Sequence, residues 1–204
     1  MWEAFQLSLM ASALAMPVVL ILGTALGWCF ARYHFFGKFW WNTLLLLPLV
    51  FPPTVTGYYL ITLFGPLFNL KGIVLASGVV AFPLMFQSAR AAFEKVPLAL
   101  EEAASSMGHS PWQCFLRVSF PLARHGLLAG GVLSFARALG EFGATLMVAG
   151  NITGKTQTLP LAVYEALMAG QEAQARIGVL ILTLISLTVM GVAAYVRAPD
   201  KKWS

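Results

Sequence analysis

The fold is decided by the stretch FQLSLMASALAMPVVLILGTALGWCFA at residues 5–31, which contains one proline and no charged side chain. A helix needs about 20 consecutive apolar residues to cross a bilayer, so this stretch is long enough to span one. Inside a membrane the backbone must satisfy its own hydrogen bonds, which leaves helices or closed barrels, and the sequence lacks the short alternating segments of a barrel. The sequence therefore predicts an all-α fold: one membrane domain over residues 1–204, with about five transmembrane helices near 5–31, 40–64, 72–92, 126–148 and 176–197.

The composition also favours a membrane protein over a soluble one. Hydrophobic residues make up 59% of the chain and charged residues 10%, whereas a soluble domain carries about 25% charged residues. The first stretch is not predicted to be a cleaved signal peptide. The residues before it include Glu3 and no basic residue, and its apolar run exceeds the about 15 residues of a signal peptide. Cys29 and Cys114 lie far apart without metal or redox spacing, so we expect two reduced thiols.

The basic residues predict the orientation of the spans. Cytoplasmic loops of membrane proteins carry an excess of Lys and Arg. With the amino terminus outside and the carboxyl terminus inside, nine basic residues fall on the inner side: Arg32, Lys38, Arg90, Lys95, Arg117, Arg124, Arg197, Lys201 and Lys202. Only Lys71, Lys155 and Arg176 fall on the outer side. This bias predicts a multi-pass protein with segment 93–125 in the cytoplasm, and it explains the net charge of +5 without an anionic nucleic-acid partner.

Prolines interrupt three of the predicted spans. Pro17 lies in the first, Pro48, Pro52 and Pro53 in the second, and Pro83 in the third. A single proline removes one amide donor and commonly marks a packing kink, which is the reading we favour for Pro17 and Pro83. The adjacent pair in LVFPPT at 49–54 instead predicts a broken helix, of the kind that lines transport pathways.

Segment 93–125 begins with the sequence pattern of a short helix. Pro97 suits a first helical turn, where its missing amide is not needed. Residues 98–107 are mostly good helix formers, and Glu101 and Glu102 lie near the positive amino end. Gly108 follows at the position that favours a left-handed residue, so it is predicted to end the helix.

A second helix is predicted to follow after a tight turn. Ser110 is placed to cap it, with Pro111 first and Gln113 third, which is the spacing of a capping box. Pro121 is predicted to close the segment. The two helices would form a rigid helix-turn-helix between the third and fourth spans.

The same segment resembles the EAA loop of ABC importer permeases. That family has Glu-Ala-Ala, three residues, Gly, nine residues and then Ile-x-Leu-Pro, and this chain has EAA at 102–104, Gly108 and VSFP at 118–121. Val for Ile and Phe for Leu are conservative departures. The resemblance implies a coupling loop that docks in a groove of a partner ATPase and transmits its movement. The residues implied in coupling are Glu102, Ala103, Ala104, Gly108, Ser110, Pro111 and Trp112.

A second resemblance concerns the substrate. The stretch SFARALGEFGAT at 134–145 looks like the fourth span of molybdate and sulfate permeases, and GNITGKTQTLP at 150–160 is closer to the molybdate group, as is the run through Pro52, Pro53 and Gly57-Tyr58. The resemblance implies molybdate import across a prokaryotic cytoplasmic (inner) membrane by a homodimer with two ABC ATPases and an extracellular or periplasmic oxyanion-binding protein. Tungstate, sulfate and thiosulfate remain alternatives.

Two charges lie within the predicted fourth span. Arg137 and Glu141 are four residues apart, so on a helix they would share a face, and each needs a partner or water at that depth. They form either a self-neutralising packing pair or part of the transport pathway. Threonine hydroxyls at 54, 56 and 145 offer donors to an oxyanion or bond their own backbone. The candidate pathway residues are Pro52, Pro53, Thr54, Arg137, Glu141 and Thr145.

The sequence contains no catalytic or metal-binding pattern. It has no G-x-x-x-x-G-K-[ST] motif, so ATP and Mg²⁺ are expected on a partner subunit and no cofactor on this chain. Five spans are too few to enclose a path, which favours a symmetric pair. A secondary transporter or channel without an ATPase is the alternative from another class, and a membrane-embedded enzyme would need clustered His, Asp or Glu that we do not find.

The predicted orientation can be tested by labelling single cysteines from outside. A cysteine placed at residue 153 should react with a membrane-impermeant maleimide, because it would lie in the outer loop, and one placed at residue 109 should not. The opposite accessibility would overturn both the orientation and the assignment of segment 93–125 to the cytoplasm.

Overall fold

The computed structural model describes residues 1–197, with side chains through Val196, so Lys201 and Lys202 of the orientation argument lie outside it. The regular secondary structure of the described residues is all helical, without a strand, which confirms the predicted fold class. Its elements in chain order are α1 (Trp2–Arg32), α2 (Lys38–Val50), α3 (Pro53–Phe64), α4 (Leu70–Glu94), α5 (Leu98–Ser106), α6 (Pro111–Cys114), a π-helical turn (Phe115–Ser119), α7 (Phe120–Leu139), α8 (Gly143–Ala149), α9 (Leu159–Met168) and α10 (Glu172–Arg197).

Three helices are long and apolar enough to cross a membrane by themselves: α1, α4 and α10. Two further candidates are bent pairs, α2 with α3 and the helix Pro111–Leu139 with α8. The described residues therefore hold three continuous candidate spans, and five when each bent pair counts as one. Helices α1, α4 and α10 and the pair of α2 and α3 begin and end within four residues of the predicted stretches. The fourth stretch, predicted at 126–148, lies in a helix pair that begins much earlier, at Pro111.

The second predicted span is broken where the proline pair predicted it. Phe51 has ψ 143° and Pro52 has ψ 137°, because each precedes a proline and is thereby pushed out of the helical region. Two extended residues in a row turn α3 by 114° relative to α2. Pro17, Pro48 and Pro83 instead lie inside continuous helices. The break in the second span therefore comes from Pro52 and Pro53 and not from Pro48.

The fourth predicted span is also broken, which the sequence pattern did not predict. Helix α7 ends at Leu139, and α8 begins at Gly143 after a bend of 57°. Glu141 therefore lies beyond the end of α7, and the expectation that it shares a helical face with Arg137 is wrong. The last turn tightens instead, since the amide of Glu141 donates to the carbonyl of Ala138 at 3.2 Å.

Pro121 does not close the second loop helix, contrary to the sequence prediction. The helix that begins at Pro111 continues through the π-helical turn Phe115–Ser119 into α7 and ends only at Leu139. A proline ring ordinarily clashes with the carbonyl four residues earlier. The wider π-helical turn lies directly before Pro121 and opens the hydrogen-bonding ladder there, so the proline fits without ending the helix.

Helix α9 is an element that the sequence analysis missed. Its ten residues are too few to span a membrane, but five of them are buried. The amide of Leu159 donates to the hydroxyl of Ser8 on α1 at 2.8 Å, in a buried position. Gly178 of α10 has no room for a side chain because Val163 of α9 occupies that space. Helix α9 thus joins α1 to α10.

Helix α4 lies at the centre of the bundle, and α1 packs closely along it. A Cβ added at Gly23 would lie 2.6 Å from the side chain of Met85, and one at Gly27 would lie 2.6 Å from Cβ of Ala89. The two glycines are one helical turn apart, which is the spacing of small residues at membrane helix interfaces. Glycine is required there because the backbones touch.

Helix α7 makes the same kind of contact on α4. A Cβ added at Gly126 would lie 2.5 Å from Cβ of Ala92, and one at Gly130 would overlap Cβ of Ser88. The buried core where the three helices and the π-helical turn meet consists of Met16, Val19, Met85, Ala89, Ala92, Phe93, Val96, Phe115, Ala123 and Leu127. Both seams therefore converge on the half of α4 that leads into segment 93–125.

The α4–α7 seam generates a stability prediction. Gly130→Ala should lower the midpoint of thermal unfolding in detergent by several degrees, because overpacking costs about 1–3 kcal/mol. Gly191→Ala is the matched control, since no atom of the described residues lies within 4 Å of its added Cβ. Both changes gain the same helix propensity. An equal midpoint for the two variants would show that the seam tolerates a methyl group and that the contact is not tight.

Candidate functional site

The end of α5 has the geometry that the sequence predicted. Gly108 has φ +85°, the left-handed conformation that glycine adopts without strain. Its amide donates to the carbonyl of Ser105 at 2.9 Å, and the amide of His109 donates to the carbonyl of Ala104 at 3.2 Å. These two bonds form a Schellman motif, so the carbonyls at the end of the helix are satisfied and the turn is fixed.

The predicted capping box is also present. The amide of Gln113 donates to Oγ of Ser110 at 3.3 Å, and the side chain of Gln113 accepts from the amide of Ser110 at 2.8 Å. Pro111 occupies the first turn of α6. The loop between α5 and α6 is therefore held at both ends by short-range hydrogen bonds, as a stiff connector requires.

The loop presents an exposed face that combines one carboxylate with apolar side chains. Glu102 and Ala103 are exposed, whereas Ala104 is buried within the chain, so only the first alanine of EAA lies on this face. Trp112 is 63% exposed and stacks on Phe115 with ring centroids 5.3 Å apart. Four more apolar side chains of this short segment are exposed: Leu98, Leu100, Met107 and Leu116. Exposed apolar side chains concentrated in this way are typical of a protein interaction site.

A second acidic residue of the loop, Glu101, faces inward and was not singled out from the sequence. Its carboxylate accepts two bonds from Nε of Arg32, both 2.9 Å, and one of 2.7 Å from Nη2. The hydroxyl of Ser119 donates to the same carboxylate at 2.6 Å. Adjacent glutamates carry no sequence signal that tells which one turns inward, so only the structure separates Glu101 from Glu102.

The intramembrane pair predicted from sequence is formed. Nη1 of Arg137 donates to Oε2 of Glu141 at 2.7 Å, with 30% of the arginine side chain exposed and 1% of the glutamate. The other oxygen, Oε1, accepts from the amide of Ala144 at 2.8 Å. Glu141 therefore caps the first turn of α8, where a negative charge is favoured, in addition to pairing with Arg137.

The two helix breaks lie against each other. A Cβ added at Gly143, the first residue of α8, would lie 2.9 Å from Cβ of Pro53 and 3.2 Å from the amide nitrogen of Thr54. One turn further along α3, a Cβ added at Gly57 would lie 2.7 Å from Cβ of Met147. The structure thus brings the proline pair and the charged pair to one location, where α3 and α8 touch.

The predicted pathway residues differ in exposure at this location. Pro52, Pro53 and Thr54 are exposed, and Thr145 is fully buried. The hydroxyls of Thr145 and Thr56 have no hydrogen-bond partner among residues 1–197, so neither bonds its own backbone. Arg137 is joined to this location through Glu141, and 30% of its side chain is exposed.

The loop face and the paired helix breaks are separated by the length of α7. The π-helical turn joins α7 to the loop, and Glu141 follows the other end after 20 residues, about 30 Å of helix. No group of three or more His, Cys, Asp or Glu side chains within residues 1–197 is arranged to hold a metal ion, and both cysteines are free.

Comparisons with known proteins give the family of the chain. Residues 14–198 match the family described as the binding-protein-dependent transport system inner membrane component. The chain is 46% identical over 200 residues to the putative molybdenum transport system permease protein YvgM of Bacillus subtilis (strain 168), covering 90% of this chain and 88% of that protein. It is 41% identical to the molybdenum transport system permease protein ModB of Haemophilus influenzae, covering 91% of this chain and 90% of that protein.

Two further comparisons concern a sulfate permease and a solved fold. The chain is 36% identical to the sulfate transport system permease protein CysW of Synechococcus elongatus, covering 96% of this chain and 74% of that protein. The fold matches a chain of the methionine ABC transporter MetNI in an inward-facing conformation with a TM-score of 0.69, covering 96% of this chain and 93% of that chain at 17% sequence identity.

Proposed function

The chain belongs to the family of binding-protein-dependent transport system inner membrane components, and we propose that it is the permease subunit of an ABC importer that carries molybdate. The observation that carries this proposal is the loop of α5 and α6. Its Schellman turn and capping box hold an exposed acidic and apolar face at the end of a long helix. That geometry suits a surface through which a partner moves the membrane helices.

Molybdate is favoured over sulfate by the degree of similarity. The two relatives named for molybdenum transport are more similar to this chain than the sulfate permease, and the chain also covers more of their length. Molybdate and sulfate are both tetrahedral dianions, so the same polar groups suit both. Sulfate import is therefore the second candidate, with tungstate and thiosulfate as further members of the class.

The remaining parts of the importer lie outside this chain. We propose a homodimer, since one copy with at most five spans is too small to enclose a path. Two ABC ATPases would bind the loop faces and supply ATP and Mg²⁺, and an external oxyanion-binding protein would deliver substrate. The chain itself is non-catalytic in this assembly. The excess of basic residues on the loop side supports an external amino terminus.

The function is tested by assembling the permease with its ATPase and binding protein in lipid vesicles. Molybdate should stimulate ATP hydrolysis and enter the vesicles, whereas sulfate should do neither. Glu102→Lys and Gly108→Pro should abolish ATPase co-purification, because they alter the exposed carboxylate and the left-handed turn, while the chain still inserts into the membrane. Stimulation by sulfate instead would change the substrate, and transport without any bound ATPase would indicate a secondary transporter.

We also propose that the paired helix breaks line the transport path. The side chain of Arg137 is 30% exposed and would offer N–H donors to an oxyanion, while Glu141 neutralises part of its charge. A passing anion must be released, so one partly neutralised arginine suits transit better than a cluster of cations would. Pro52, Pro53 and Thr54 are exposed where α3 meets α8, and Thr145 of α8 is buried with a hydroxyl that has no partner among residues 1–197.

A double substitution separates the pathway role from a structural one. Arg137→Ala should reduce molybdate uptake about tenfold or more, but it also leaves a buried carboxylate unpaired. Arg137→Ala combined with Glu141→Ala removes that charge, and uptake should remain low because the donor to the anion is still missing. Normal uptake in the double variant, at equal amounts of assembled complex, would make the pair structural.

A further inference from the structure

Three elements of the chain meet at one partly buried carboxylate, that of Glu101. Arg32 is the last residue of α1, Glu101 lies in α5, and Ser119 closes the π-helical turn that leads into α7. We infer that Arg32, Glu101 and Ser119 form a clasp that positions the coupling loop and passes its movement to α1 and α7 together. This inference rests on the proposed function, since it concerns how the loop acts once an ATPase is bound.

The clasp is held by five hydrogen bonds and is largely shielded from solvent. The side chains of Arg32 and Glu101 are 8% and 17% exposed. Besides its bonds to Glu101, Nη2 of Arg32 donates to the carbonyl of Val96 at 3.0 Å, just before α5 begins. Both oxygens of Glu101 accept from donors within the chain. The carboxylate of Glu101 therefore bonds within the chain, whereas the neighbouring Glu102 is exposed and free to contact a partner.

The positions of the three residues give the clasp its mechanical effect. Helix α1 packs along α4 through Gly23 and Gly27, and α7 packs on the same helix through Gly126 and Gly130. A displacement of α5 acts on the end of α1 through Arg32 and on the start of α7 through Ser119. Charge-assisted bonds of this kind are the strongest hydrogen bonds in proteins and hold a defined geometry. The loop therefore moves as one piece with both helices.

A clasp that transmits movement and a contact that only stabilises the fold predict different results when the contact is removed. A positioning role predicts that variants with a weakened clasp still bind the ATPase through Glu102. Their ATPase should hydrolyse more ATP for each molybdate that is transported. The quantity to measure is the number of ATP molecules hydrolysed per molybdate taken up by the reconstituted complex. A merely structural role would lower the amount of complex and leave this ratio unchanged.

The experiment compares Glu101→Gln and Ser119→Ala with the control Glu94→Gln. Glu94 forms an ion pair with Arg90 near the end of α4, but that pair is largely exposed and outside the clasp. Both clasp variants should co-purify with the ATPase and raise the ratio at least about fivefold, the low end of ordinary coupling between two sites. The control should keep the ratio of the unaltered chain. Ser119→Ala decides the matter if Glu101→Gln fails to assemble, because it retains the ion pair.

An unchanged ratio in Ser119→Ala overturns the inference, as does loss of the ATPase from both variants to the extent seen in Glu102→Lys. Failure of the proposed function is distinguishable, because then the unaltered complex shows no response to molybdate. In that event hydrogen exchange of the full chain in detergent still tests the clasp. The amides of α5 should exchange about tenfold faster in Glu101→Gln than in Glu94→Gln, reflecting the lost bonds to a charged group. Equal exchange in the two variants also overturns it.

Discussion

Because lipid is as apolar as the side chains it surrounds, membrane helices gain little by burying leucine against one another, and α4 is held instead by close backbone contact. Gly23 and Gly27 bring α1 to one side of it, and Gly126 and Gly130 bring α7 to another. Further elements attach to this trio: Asn42 of α2 accepts from Arg90 of α4 at 2.7 Å, and the first residue of α9 donates to Ser8 of α1. The loop and the helix breaks keep their places because the three helices beside them cannot slide apart.

Two carboxylates, Glu101 partly buried and Glu141 buried, lie at the two ends of α7 and have comparable roles. Glu101 ties its beginning to α1 and α5, and Glu141 ties its end to α8. Each is paired with an arginine and also accepts from a neutral donor, so neither charge is left uncompensated in a poorly solvated place. The difference lies in their arginines, since Arg32 is enclosed and Arg137 is partly accessible. The enclosed pair suits the transmission of force, and the accessible one suits contact with an anion.

Sequence patterns predicted the features that depend on neighbouring residues. The proline pair breaks the second span, Gly108 adopts the left-handed conformation, and Ser110 caps with Gln113, because each follows from backbone rules that act within a few positions. The bend before α8 and the inward turn of Glu101 depend on groups distant in sequence, such as Pro53 and Arg32, so local patterns do not reveal them. The prediction that Pro121 ends a helix was wrong for a related reason. The rule that proline breaks a helix assumes an α-helical turn before the proline, and this chain has a wider π-helical turn there.

That wider turn also determines which way the exposed face of the loop points. A π-helical turn takes up about one residue more than an α-helical turn, and each residue of an α-helix advances the angular phase by about 100°. The orientation of Trp112 about the axis of α7 therefore depends on how residues 115–119 are wound rather than on side-chain chemistry. If the same residues were rewound as an α-helix, with none removed, α6 would rotate by about 100° relative to α7. Every residue of the exposed face would survive such a rewinding, and the face itself would point elsewhere.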